Sequence, residues 1–268
     1  MDHAPNGRVL LEIQDNVAVM TLNDPSVLNA FGYKLRHDIT WALDNVEASS
    51  ARCLMITGAG RAFCSGANLN DPDRPPRDRA AEARGEVKSD LEAWYNPTFI
   101  RLRDLAMPVV TAINGIAAGA GMSLALMGDI RIAAASASFL QAFARIGLVP
   151  DCGSSYVLPR MIGMARAMEL SLLAERLPAE TALAWGMINR VVNDPDLPGA
   201  AMAMARTLAE GPASLALIRK MYWASLENTY EQQLDVEAKL QMRAGMTEDY
   251  TEGVTAFREK RRTRFSGR

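Results

Sequence analysis

From Leu105 to Met127 the chain carries no charge, and Gly115 and Gly119 within it are spaced as a GxxxG pair. Such a stretch has two places to go, lipid or the inside of a globular core. Pro108, Thr111, Asn114 and the glycines lower its hydropathy, and neither an aromatic belt nor a basic flank accompanies it. Asn114-Gly115 is also a strong turn signal. The stretch therefore reads as a buried strand, a turn and a buried helix. The rest of the chain has to supply layers that cover both. With 268 residues, 49% of them hydrophobic and 22% charged, it is long enough to do so.

The elements on either side alternate in period. Val9 to Ile13 and Val17 to Leu22 are β-rich runs around Gln14-Asp15-Asn16, a hairpin pattern. Leu35, Ile39, Leu43 and Val46 then recur at helical spacing, predicting a helix over 32–47. Arg52 to Thr57, Val109 to Ile113 and Asp129 to Ala134 read as strands, Ala117 to Met127 as a helix, and another helix starts near Ser155. Residues 71–90, with many charges and Pro72, Pro75 and Pro76, read as a mobile surface segment entering a helix near Glu82. Met187 to Val192 interrupts a mainly helical remainder, and 200–262 reads as three or four amphipathic helices. The expected class is α/β, with a core over 1–199 and a helical region over 200–268.

Several kinds of function are excluded by composition. A formal net charge of -2 offers no broad basic surface for nucleic acid. Three cysteines, Cys53, Cys64 and Cys152, cannot all pair and lack metal-ligand spacing, which points to a reducing cytoplasmic compartment and no metal site. The N-terminus meets Pro, Gly and charges before any long apolar run, so a signal peptide is not expected. Only two histidines exist, His3 near a terminus expected to fray and His37 on an amphipathic helix, which argues against Ser-His-Asp and Cys-His catalysis. Gly58-Ala59-Gly60 and Gly119-Ala120-Gly121 imitate dinucleotide loops, but the third glycine is replaced by Phe63 and Leu124. An NAD-dependent oxidoreductase is accordingly a distant alternative.

Two small-residue turns carry the chemistry. Arg61-Ala62-Phe63-Cys64-Ser65-Gly66-Ala67-Asn68-Leu69 follows a strand, and Asn114-Gly115-Ile116-Ala117-Ala118-Gly119-Ala120-Gly121 opens a helix. Each offers backbone N–H groups beside side chains too small to block a ligand. If both converge on one oxygen they form an oxyanion hole; if not, they are tight turns packed for backbone proximity.

Together with LNAF near residue 28, the DIRIAAASASF strand, the GLVPDCGSSYVLPRMIGMARAMEL block and the terminal EGVTAFREKR, these turns resemble the successive signatures of the enoyl-CoA hydratase/isomerase (crotonase) family. The resemblance covers nearly the whole chain, in order. It implies a spiral of strand-strand-helix units with C-terminal helices in trimer contacts, assembled as a homotrimer or a dimer of trimers. It implies an acyl-CoA substrate, with coenzyme A part of the thioester and no separate cofactor. It maps the oxyanion donors onto the backbone N–H of Ala67 and Ala120. Val27, Leu28, Ala30, Ala62, Ser65, Gly66, Asn68 and Leu69 match positions lining the CoA channel, and Phe257 and Lys260 match C-terminal positions that approach CoA from a neighbouring subunit. Asn68 stands where the family often has Asp.

Hydratases of this family carry two glutamates facing the double bond, where this chain has Ser123 and Phe143. Adding water requires activating it and protonating the α-carbon, so hydration is not expected to be efficient. One carboxylate does fall in the right block. Asp151 resembles in position the acid of 1,2-epoxyphenylacetyl-CoA isomerase-type members. A family dehalogenase would need a tryptophan and a histidine where this chain has Phe143 and Asn96. A single carboxylate suffices for a proton shift from the α- to the γ-carbon of an enoyl thioester. The competing reading of Asp151 is a helix N-cap, with Ser154 three residues on; capping would depress its pKa and spoil it as a base. The sequence thus points to an enoyl-CoA isomerase, with a hydratase or a non-catalytic acyl-CoA binder as alternatives. Ser123 and Phe143 are candidates for the acyl pocket, and Trp94, Tyr95 and Phe99 either join them in an aromatic or alicyclic pocket or pack in the core.

Overall fold

The hairpin forms where Asp15 and Asn16 adopt φ of 51° and 61°, the left-handed pair that a two-residue turn needs to match strand twist. The computed structural model describes residues 2–268. β1 (Asp2–His3) pairs antiparallel with β2 (Val9–Gln14), so the backbone of His3 does not fray but sits opposite Leu10. β2 pairs with β3 (Val17–Leu22), and α1 (Tyr33–Ala48) follows with His37 on its exposed side.

From here the chain repeats one manoeuvre. β4 (Cys53–Gly58) enters a large sheet and, after a short turn, β5 (Ala62–Cys64) enters a small one. α2 (Arg79–Ala83), a π-helical turn at Leu91–Tyr95 and α3 (Asn96–Asp104) lead to the next round. There β6 (Val109–Ile113) joins the large sheet, β7 (Ile116–Ala118) the small one, and α4 (Ala120–Leu126) closes the unit. β8 (Ile130–Ala134) and β9 (Ser138–Leu140) do the same before α5 (Ser154–Ile162) and α6 (Met164–Leu173). β10 (Arg176–Pro178), α7 (Ala179–Ala184) and β11 (Arg190–Val192) complete the spiral. The large sheet has the order β1-β2-β3-β4-β6-β8-β11 and the small one β10-β9-β7-β5.

β6 is buried at every position and β4 at all but one, the signature of parallel strands covered on both faces. Half of the uncharged 105–127 stretch is thereby explained. The other half differs from expectation: the helix predicted from Ala117 begins only at Ala120. Ile116–Ala118 is recruited as a strand by β5 on one side and β9 on the other, and Gly119, at φ 52°, then turns the chain. No helix among the described residues is long and apolar enough to cross a membrane.

The charged 71–90 segment is fastened to α1 and to itself through Lys34–Asp73, Arg36–Asp90 and Arg74–Asp90 ion pairs at 2.9, 3.5 and 3.1 Å. Its helix starts at Arg79, capped by the Asp78 side chain, slightly earlier than predicted. After the spiral come α8 (Leu197–Ala209), α9 (Ser214–Ser225), α10 (Tyr230–Gly245) and α11 (Glu248–Glu259). α8 buries Ala201, Ala205 and Ala209 in the main core, so a division at 199/200 falls within one helix. α10 buries nothing.

Candidate active site

The two small-residue turns meet. β5 and β7 run side by side, and the loop after β5 lies against the start of α4. Gly66 sits at φ 95°, and a methyl there would stand 2.8 Å from the Ala118 oxygen and 3.6 Å from the Ala120 nitrogen. A methyl on Gly121 would collide with the Cys64 carbonyl. Only glycine permits that approach.

Phe31 forms a parallel bridge with Ala67, donating its N–H to the Gly66 oxygen (2.7 Å) and accepting from the Asn68 N–H (3.3 Å). Strand geometry then turns the N–H of Ala67 itself to the opposite side. Ala120 is the first residue of α4, where no intrahelical acceptor exists. Gly119 N–H is already given to Leu140 and Ser123 N–H to Gly119.

The turn expected to hold CoA is stitched to this loop. Leu28 and Asn29 both have φ of 55°. The Ser65 N–H donates to the Leu28 oxygen (3.0 Å), and its hydroxyl to the Val27 oxygen (3.3 Å). Val27 and Leu69 are exposed, Leu28, Ser65 and Asn68 half-buried, and Ala30, Ala62 and Gly66 buried. The clip between the segments is Asn29, fully buried, whose amide reaches the Ala59, Ala62 and Phe63 carbonyls at 3.0, 2.9 and 3.3 Å. The LNAF turn contains Asn29, but its role has no local signal, because its acceptors lie thirty or more residues ahead.

Asp151 is not a helix cap. Gly153 occupies the N-cap of α5 at φ 77°, and Ser154 donates its N–H (3.1 Å) and hydroxyl (3.0 Å) to the main-chain carbonyl of Asp151, not to its side chain. The Asp151 Oδ1 is buried without a hydrogen-bond partner. Burial raises its pKa above the usual carboxylate range, and the Cys152 thiol beside it offsets this only in part. The same burial, reinforced by the Asp151 charge, pushes the Cys152 thiol far up, so it is no nucleophile.

Ser123 is buried on α4, and its hydroxyl lies 3.2 Å from the Asp151 carbonyl. Phe143, buried on the 3-10 turn Ala142–Ile146, puts its ring tip 3.8 Å from the place a Gly119 side chain would take. Ala67, Ala120, Ser123, Phe143 and Asp151 are therefore neighbours through the start of α4.

Trp94 gives its indole N–H to the Arg36 carbonyl and the Thr40 hydroxyl, both at 3.1 Å, and its ring packs on Phe31 with centroids 5.7 Å apart. Its neighbour Tyr95 is buried, and its ring packs edge-on against Phe31, with centroids 5.9 Å apart. Burial pushes its phenol pKa up, with Cys152, Cys64 and Asp151 adding to the effect. The π-turn at 91–95 shifts the helical phase just ahead of α3. Phe99 lines a cavity of about 890 Å³ that begins at Cys152 and Gly153 and is walled by Met127, Val157 and Trp223. Phe257 faces a groove among α9, α10 and α11, and Lys260 ends α11 in a left-handed conformation, both in the helical tail. The glycine pairs at 58–60 and 119–121 serve strand crossing and loop contact in a fold that is not doubly wound, so the nicotinamide alternative finds no support.

The profile of the family described as enoyl-CoA hydratase/isomerase matches residues 12–268. The chain is 45% identical over 262 residues to the 1,2-epoxyphenylacetyl-CoA isomerase of Escherichia coli, covering 97% of this chain and 98% of that one. It is also 45% identical over 258 residues to a Rhodobacter capsulatus protein named "probable enoyl-CoA hydratase", covering 96% and 97%. The crystal structure of an enoyl-CoA hydratase from Bacillus anthracis superposes with a TM-score of 0.87 at 28% identity, over 97% of this chain and 100% of that one. Fold, site geometry and similarity thus agree that the chain belongs to the enoyl-CoA hydratase/isomerase family.

Proposed function

We propose that the protein isomerises an enoyl-CoA thioester by moving one proton between the α- and γ-carbons through an enolate. The observation that carries this reading is Asp151: one oxygen of its carboxylate is buried without a hydrogen-bond partner, its pKa is raised by burial, and its main-chain carbonyl lies against Ser123 of α4. The Ala67 and Ala120 N–H groups would hold the thioester oxygen and take up the negative charge as the α-proton leaves. A donor of this kind is worth about 10²–10³ in rate. Asp151 accepts the α-proton of a 3-enoyl thioester, the double bond moves from C3–C4 to C2–C3, and the proton is returned to C4. The carboxylate is regenerated and nothing else is consumed. Its raised pKa suits a base that must also give the proton back.

Ser123 and Phe143 supply no second acid to activate water, which favours proton transfer over hydration. The chain is equally similar to a named isomerase and a named probable hydratase, so the choice rests on these residues. The CoA moiety would lie along Val27, Leu28, Ala30, Ala62, Ser65, Gly66, Asn68 and Leu69, with Phe257 and Lys260 contributed by a neighbouring copy in a homotrimer or dimer of trimers. The cavity beside Cys152, lined by Phe99, would take the acyl group. The setting would be the cytoplasm. The test is turnover of a panel of 2-enoyl, 3-enoyl and aryl-CoA thioesters, followed by ultraviolet absorbance and mass. A shift of the double bond without mass change is expected. A gain of one water would establish hydration instead, and binding without turnover an acyl-CoA-binding role.

A further inference from the structure

We propose that Ser123 is a positioning residue for this reaction, its hydroxyl fixing Asp151 at a set distance from the paired Ala67 and Ala120 amides. The inference rests on the reading of Asp151 as the base. Ser123 is the only polar side chain in α4 (AGMSLAL) and is 1% exposed. Its N–H already makes the first-turn bond to the Gly119 oxygen at 3.1 Å. The hydroxyl oxygen stands 3.4 Å from that same carbonyl and 3.2 Å from the Asp151 carbonyl. A hydroxyl has one hydrogen to give. Of the two carbonyls the Asp151 oxygen is the nearer, and the hydroxyl is placed to donate to it.

That oxygen also accepts the Ser154 N–H and hydroxyl at 3.1 and 3.0 Å. The main chain of Asp151 is therefore pinned by α4 on one side and α5 on the other. Between the pins the chain turns through two consecutive left-handed residues, Cys152 at φ 53° and Gly153 at φ 77°. A cysteine resists that conformation, which persists only where its surroundings over-determine it. The pins provide this, and they leave the carboxylate out of the capping role that its position before a helix would otherwise assign.

α4 also begins with the Ala120 amide, so one short helix carries both an oxyanion donor and the strut to the base. A base displaced by about 1 Å can lose about 10²-fold in rate. Removing the strut should thus act on chemistry and not on CoA binding.

The experiment is a double-mutant cycle on the full-length protein, reading exchange of the α-protons of a saturated acyl-CoA in heavy water by NMR, with isomerisation measured in parallel. Ser123→Ala is expected to lower kcat at least tenfold with KM within twofold, and to have no further effect in the Asp151→Asn background. Ser123→Thr, which keeps the donor, should recover most of the rate; it also serves if the alanine variant does not hold its fold. Wild-type kcat in Ser123→Ala, or equal slowing in both backgrounds, overturns the proposal while Asp151 remains the base. If the wild type exchanges no α-protons, or Asp151→Asn exchanges them normally, the reading of Asp151 falls, and this inference with it.

Discussion

The surroundings of Asp151 penalise its charge, and this has consequences of opposite sign for activity and for stability. As a base it works only when ionised, so kcat/KM should fall as pH drops through a midpoint above the ordinary carboxylate range. In the folded state the proton is held more tightly than in the unfolded chain, so stability is lost as pH rises from the unfolded pKa through the raised folded one. Asp151→Asn, with no charge to bury, should therefore be more heat-stable than the wild type at neutral pH and equal to it well below that window. The same variant should lose about 10³-fold in isomerisation while still binding CoA. A pH series of thermal melts beside kinetics checks both; an Asn variant less stable at neutrality would show that the carboxylate has a structural partner. Asn29 makes the contrasting case. Asn29→Ala would strip the Ala62 and Phe63 carbonyls of a donor inside the protein, costing about 1–3 kcal/mol. It should also loosen the turn expected to hold CoA, so chemical denaturation and CoA titration should both register the change.

At the scale of elements, the start of α4 governs the site. Gly121→Ala would drive a methyl into the Cys64 carbonyl and push the helix away from the Ala67 loop. The expected result is a stability loss of about 1–3 kcal/mol and a much larger fractional loss of kcat, because the proposed mechanism needs both amides on one oxygen. Equal turnover by the alanine variant would mean that the amides do not act together. Elements differ in how openly the sequence displays them. The hairpin at Asp15-Asn16 and the periodicity of α1 are local signals, and both stand in the structure within a residue of their predicted bounds. β7 has no such signal. Three small residues continuous with a helical pattern become a strand because β5 and β9 offer hydrogen bonds to them. The π-turn at Leu91–Tyr95 likewise has no local signal.

On the scale of the whole molecule, the tail is moored at Arg219. This buried guanidinium reaches Asp129 at 2.7 Å and the carbonyls of Leu102, Arg103 and Leu105, tying α9 to the end of α3 and to the core. Arg219→Met would leave Asp129 half-buried without its cation, and a loss of about 3 kcal/mol is expected, read as a lowered thermal midpoint. Beyond that mooring the tail exposes much apolar surface: Phe257 is 85% and Met246 82% exposed. Ile146, Leu148 and Val149, just ahead of Asp151, are exposed as well. Faces of this extent fit burial between copies of the chain, so light scattering should report a trimer or a multiple of it, and a monomer would count against the proposed assembly.

The sequence by itself determined the layered α/β class, the helical tail and the family, because periodicity and ordered motifs are properties of contiguous residues. It also brought Asp151 forward, but between two incompatible roles. That the residue is not the cap was decided by Gly153 taking the N-cap and Ser154 bonding its main-chain carbonyl, while one oxygen of its carboxylate was left buried without a partner. The same holds for the two glycine-rich turns. Each was visible as a turn, whereas their meeting depended on two sheets, wound from different parts of the chain, bringing β5 beside β7. Local sequence carries the capacity to donate or accept; only the tertiary fold determines what stands opposite.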